Sequence, residues 1–191
     1  MLTLEHLKRA LQEAAKCDAS DTSPSAQARH ARRSREWVKC LATELKGFSE
    51  DPDVRVFFKG DPQNREDFGL NELLYDVCVC ETKSCPSARR GKTLRYVTKA
   101  LWQVESEFAR DSFEAVKDFN KLVIGSADNK LFIGPRLAPS EQSQFLDALL
   151  PVARCCSGNV YVAAVSHPDE WEPNPPDVSL WQLAGGAWQP R

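Results

Sequence analysis

The residues best suited to chemistry in this chain are acids. Asp76 interrupts the apolar run from Leu73 to Cys80, and Glu105 and Glu107 flank Ser106 at the end of a second run, Leu94 to Phe108. Read as strands, both runs alternate with a period of two. Tyr75, Val77 and Val79 share one face and Asp76, Cys78 and Cys80 the other; Trp102, Val104 and Ser106 share a face and Gln103, Glu105 and Glu107 the opposite one. Pairing the runs as an antiparallel hairpin gathers the three carboxylates. Grouped anions on neighbouring strands are costly unless protonated, paired with cations or bound to a metal. An all-oxygen set suits a hard divalent ion, Mg²⁺ or Mn²⁺, which keeps several waters and can activate one of them for attack on phosphorus. The expected chemistry is metal-dependent phosphodiester hydrolysis.

Other constellations fare less well. Cys78-x-Cys80-x₄-Cys85 has too short a first separation for paired zinc ligands, and no histidine lies nearby to complete the set. Cys155-Cys156 has no base beside it in sequence and reads as inert thiols. His6, His30 and His167 lie in three unrelated segments with no nucleophile turn to join them, which argues against triad hydrolysis. The chain has neither a phosphate-cradling Gly-x-x-x-x-Gly-Lys nor a dinucleotide fingerprint. The acids also have plain structural readings: a hydrogen-bonded edge aspartate for Asp76, and a solvent-facing polar stripe for Glu105 and Glu107. Their joint placement is what favours a metal site.

The elements that must position these acids can be read from periodicity. Leu4, Leu7, Leu11 and Ala14 recur at helical spacing after Thr3, and a second helix opens at Ser23-Pro24 with the stripe Trp37, Leu41, Leu45 and Phe48. Val54 to Phe58 is a short strand, and Lys59 to Asn64 reads as a turn-rich loop. The polar stretch from Thr82 to Lys92 reads as an exposed hairpin loop. A helix over 111–124 buries Phe113, Val116, Phe119 and Val123 and stops at Gly125. Leu131 to Ile133 is a short buried strand, Ser140 to Leu150 a helix closed by Pro151, and Asn159 to Val165 an apolar strand. Gly185-Gly186 turns a terminal hairpin. The expected fold is α/β, a mixed central sheet with helices on both faces, in a single domain. Within it, 1–48 is a helical pair, 54–165 the core and 166–191 an extension.

With these elements in place, Asn71-Glu72-Leu73-Leu74-Tyr75-Asp76-Val77, then Gln103-Val104-Glu105-Ser106-Glu107, then Asp118-Phe119-Asn120-Lys121-Leu122 resembles the core of the PD-(D/E)xK nuclease superfamily, with its restriction-endonuclease-like α-β-β-β-α-β order. The resemblance covers about Glu72 to Ile133. It implies that Asp76 and Glu105 bind Mg²⁺ or Mn²⁺, with Glu72 as a further metal-binding acid. Position 107 departs from the pattern, carrying Glu where the family most often has Lys. In such a Glu-x-Glu variant the resemblance gives Glu107 the attacking water to orient. Other members place the missing residue on the following helix, which makes Lys121 a candidate; the helical wheel puts Lys121 nearly opposite the apolar stripe, on the solvent side.

Composition bounds the partners. The 191 residues carry a formal net charge of −2, so nucleic acid can be held only through local basic clusters. Arg89, Arg90, Lys92 and Arg95 are the expected phosphate contacts, and Arg29 to Arg35 forms a second basic segment. DNA is the expected substrate, cut by a restriction- or defence-type endonuclease. The rival expectation is a catalytically inactive, nuclease-like binding or regulatory protein. A homodimer or a protein partner is compatible with either. The amphipathic, mixed-charge N-terminus and seven irregularly spaced cysteines point to a cytoplasmic protein with reduced thiols, and no run approaches the roughly 20 apolar residues of a membrane span.

Overall fold

The computed structural model describes residues 3–16, 25–167, 170–171 and 177–191. Its seven strands are β1 (Val54–Phe58), β2 (Val77–Ser87), β3 (Lys92–Ser106), β4 (Asn129–Pro135), β5 (Asn159–Val165), β6 (Val178–Ala184) and β7 (Ala187–Pro190). They form one sheet in chain order, β1-β2-β3-β4-β5-β6-β7. The pairs β3/β4 and β4/β5 are parallel and the rest antiparallel. Parallel neighbours need a crossover, and α4 (Ser112–Ile124) and α5 (Pro139–Ala153) supply it. The remaining helices are α1 (Leu4–Lys16), α2 (Ala26–Lys46) and α3 (Pro62–Phe68).

Alternation along the strands divides the core between the two faces. Val77, Val79, Trp102, Val104, Leu131 and Ile133 pack with Leu7, Leu11, Trp37, Leu41 and Leu45 of α1 and α2. Cys78, Cys80, Phe132, Val160 and Val162 pack with Phe119, Leu122, Phe145 and Leu149 of α4 and α5. This is the mixed α/β sheet, covered on both faces, that the periodicity predicts. Among the described residues, no helix is long and apolar enough to cross a membrane.

The largest difference from expectation is the length of the hairpin. β2 begins at Val77, not Leu73, and continues to Ser87 through the polar stretch expected to be a loop; the turn is only Ala88 to Gly91, with φ of +60° at Gly91. β1 pairs β2 only as far as Glu81, and β4 pairs β3 only from Trp102 onward. The outer part is therefore a two-stranded arm, with Lys83, Ser84, Cys85 and Pro86 exposed. With no core beside it, its sequence carries no apolar alternation to read.

Smaller differences have local causes. Residues 62–68 form α3 because Asp61 accepts hydrogen bonds from the Gln63 and Asn64 amides, Pro62 opens the first turn and Gly69, at φ of +80°, ends it. The expected Ser23-Pro24 start lies outside the described residues; Ser25 caps α2 by accepting from the Ala28 amide. α5 starts at Pro139 behind Ala138, with no side-chain cap, and runs past Pro151 to Ala153. β4 extends two residues beyond the expected run at each end. At its start the buried Lys130 donates to the carbonyls of Ala127 (2.9 Å) and Ser157 (2.6 Å), tying that loop to the one before β5.

Candidate active site

β2 and β3 pair with Val77 opposite Val104. Carrying that register one residue further sets Asp76 opposite Glu105, at the end of the sheet. Asp76 lies not in mid-strand but in the bend just before β2. Its Oδ2 accepts from the Ser106 amide at 2.9 Å and from Ser106 Oγ at 2.6 Å. Two donors from one residue hold the carboxylate in a single orientation.

Glu105 is 2% exposed. Its Oε2 accepts from Lys121 Nζ at 3.0 Å, whereas Oε1 is buried with no hydrogen-bond partner among the described residues. Burial pushes the Glu105 carboxyl up to about 7; the Lys121 hydrogen bond opposes that rise and the neighbouring Asp76 charge adds to it. A buried anion with one bare oxygen and a second carboxylate opposite is the arrangement a divalent cation relieves.

Lys121 corrects the helical-wheel expectation. The buried stripe of α4 is Ala115, Phe119 and Leu122, while Phe113 is 69% exposed. The helix is thus rolled away from the stripe that its aromatic residues suggest, and Lys121 leaves from a flank with a stem long enough to reach the sheet end. Its ammonium also meets Asp118 Oδ1 at 3.0 Å. Burial opposes the Lys121 charge, but the hydrogen bonds it donates to Glu105 and Asp118 outweigh it and hold the lysine above its ordinary range. Asp118 was not singled out from the sequence, although its i,i+3 spacing to Lys121 is the available signal.

A contact at the end of α4 sets this geometry. Tyr75 Oη donates to the Lys121 carbonyl at 3.2 Å, and Gln103 Oε1 accepts from the Ala127 amide at 3.2 Å. Gly125 lies between them; a Cβ there would overlap the Gln103 carboxamide and come within 2.7 Å of Tyr75 Oη. Gly125→Ala is expected to cost about 1–3 kcal/mol in chemical denaturation, through overpacking, and to weaken the Lys121–Glu105 contact with it.

The remaining candidates divide. Glu107 follows β3, and its Oε1 accepts from the Ala109 amide at 2.6 Å, so this carboxylate is turned into a local bend. Lys121, not Glu107, is the side chain beside Glu105. Glu72 is exposed and shares with Asp76 a cleft of about 250 Å³ that is also lined by Ser34, Arg35, Val38 and Lys59. The basic segment that includes Arg35 therefore borders the acids. Arg89, Arg90 and Lys92 do not: they sit at or beside the hairpin tip, and the eleven strand residues from Val77 to Ser87 separate that tip from Asp76, roughly 36 Å at ~3.3 Å each. Arg95 pairs opposite Ser84, partway along the arm. These four expected phosphate contacts therefore lie away from the acids, because the hairpin is longer than its polar sequence suggests.

The thiols stay apart from this chemistry. Cys78 and Cys80 bring their sulfurs to 3.3 Å beneath α4, and Cys85 is exposed on the arm. Among the described residues, no group of three or more His, Cys, Asp or Glu is arranged to hold a metal ion. Mg²⁺, however, is commonly held by one or two carboxylates, with waters and phosphate oxygens completing its shell. Asp76 and Glu105 are two carboxylates on neighbouring strand ends, and Glu105 Oε1, without a hydrogen-bond partner among the described residues, is chemically compatible with such a shell. The arrangement stands on its own geometry, since no family model matches the chain and no curated protein matches it.

Proposed function

We propose that this chain hydrolyses phosphodiester bonds of nucleic acid, DNA foremost, as a Mg²⁺- or Mn²⁺-dependent endonuclease of the PD-(D/E)xK kind. The observation that carries the reading is Glu105: a buried carboxylate with one oxygen that has no hydrogen-bond partner among the described residues, set opposite Asp76 and 3.0 Å from Lys121. The bound ion supplies Lewis acidity and a water more acidic than bulk water. Asp76 and Glu105 would hold it, with Asp76 oriented by Ser106. Lys121 stays protonated at neutral pH, so it serves as a fixed cation for the charge that builds on the phosphate oxygens, not as a base. Glu72, which lines the same cleft as Asp76, would be a further acid for the ion's shell.

A second reading has its own support. The Lys121 ion pair already compensates Glu105 in part, which suits a nuclease-like protein that binds without cutting. Supercoiled and linear DNA incubated with Mg²⁺ or Mn²⁺, alongside calorimetric titration of the same ions, separates the two. Nicked or shortened products that vanish with chelator are the expected result. No cleavage together with no heat of ion binding would end the hydrolytic reading and leave the binding one.

A further inference from the structure

The cleft that holds Asp76 does not end there. Arg35 and Lys59, which line it, also line a larger cleft of about 820 Å³ between α2, β1 and α3. This second cleft adds Lys39, Lys46, Arg55 and Arg95. The acids along it are mostly engaged. Glu36 meets Lys39 at 3.5 Å, Asp61 caps α3, and Asp51 accepts from the Asp53 amide. The bases are not engaged to the same degree. Arg55 Nε and Arg95 Nη1 are buried with no hydrogen-bond partner among the described residues, although Arg55 Nη2 reaches Asp67 at 2.8 Å. A cleft whose acceptors are spent locally and whose guanidinium donors are left over is short of an anion.

We infer that the cleft between α2 and β1 is the track for the phosphodiester backbone of the nucleic-acid strand that flanks the reacting phosphate. The inference rests on the hydrolytic reading for its direction, away from Asp76 past Arg35 and Lys59 toward Lys46 and Arg95. β1 has five residues, roughly 17 Å of floor, which matches four or five stacked nucleotides at about 3.4 Å each. Phe58 is the one aromatic side chain on the cleft wall among the described residues. Without a stacking platform or a row of amide side chains, the contact is to phosphates and carries little base preference. It also explains how a chain of net charge −2 holds a polyanion, by confining the positive potential to one groove.

The test uses the full chain in chelator, so that binding is read without cleavage. Fluorescence anisotropy follows a labelled 20-nucleotide duplex, its single strand and the matching RNA strand between 50 and 200 mM salt. Lys46→Gln combined with Arg95→Gln is expected to weaken binding about tenfold at the upper salt and to lower the slope against log salt by about two. Lys16→Gln, on the far end of α1, is expected to bind as the wild type does. Lys39→Gln, exposed on α2, repeats the measurement with a single surface change should the double variant melt early. The preferred strand type identifies which nucleic acid the track takes.

Unchanged affinity and slope in both groove variants would overturn the inference, as would an equal loss in Lys16→Gln. Restoring Mg²⁺ separates this claim from the hydrolytic one. Wild-type protein that binds through the groove yet never cuts supports the track and removes the enzyme; cutting that the groove variants leave intact, with unchanged affinity, removes the track and keeps the enzyme.

Discussion

Asp76→Asn is expected to lower metal-dependent cleavage by about 10³-fold, the scale on which a preorganised charged group at a reacting centre acts. Asparagine is nearly isosteric, and its carboxamide oxygen can still accept from the Ser106 amide and hydroxyl that hold Asp76 at 2.9 and 2.6 Å. The fold should therefore survive, with a melting temperature within a few degrees of wild type. Single-turnover rates at saturating Mg²⁺, read beside a thermal melt, check both halves of the statement. A variant that cuts at the wild-type rate would take Asp76 out of the site and the hydrolytic proposal with it. A variant that fails because it is unfolded shows itself in the melt, and Asp76→Glu, which keeps the charge but displaces it, then supplies the comparison.

The second large effect concerns stability and its pH dependence. Burial raises the Glu105 carboxyl from 4.5 to about 7, so between those values the folded protein holds a proton that the unfolded chain has released. Stability linked to Glu105 is therefore fully present below about 4.5 and is lost as pH rises through about 7. A shift of that size corresponds to on the order of 3 kcal/mol. Glu105→Gln, which keeps the shape and can still accept from Lys121, is expected to melt higher than wild type at pH 8 and to match it near pH 4.5. Urea denaturation of both proteins across that range, in chelator, gives the comparison. Mg²⁺ should reverse the ranking at pH 8 by stabilising wild type alone, since a ligand that binds only the folded form adds to its stability. A glutamine variant less stable than wild type at pH 8 in chelator would mean that the Lys121 ion pair outweighs the burial cost, favouring the reading in which the acid is a structural partner of the lysine.

The sequence by itself determined the layers of this fold. Continuous apolar runs mark β4 and β5 as strands covered on both faces, and apolar positions three or four apart along α1 and α2 specify which face of each helix seeks the core, because burial of apolar area dominates folding and leaves its pattern in the chain. It also placed Asp76 and Glu105 on neighbouring strands of one hairpin, through two alternating runs that bury their apolar faces together; the register that sets the two opposite each other, and leaves Glu107 out, came from the structure. Three matters were decided only in three dimensions. The arm beyond Glu81 has solvent on both faces, so no period marks it as strand, and its length carries Arg89, Arg90 and Lys92 away from the acids. The roll of α4 is set by its packing on the sheet and α5: Ala115, Phe119 and Leu122 face inward, Phe113 stays out, and Lys121 is thereby brought to Glu105. The convergence of Arg35, Lys59 and Asp76 on one cleft joins segments 24 and 41 residues apart along the chain, an arrangement made by the docking of α2 on the sheet and written in no local pattern.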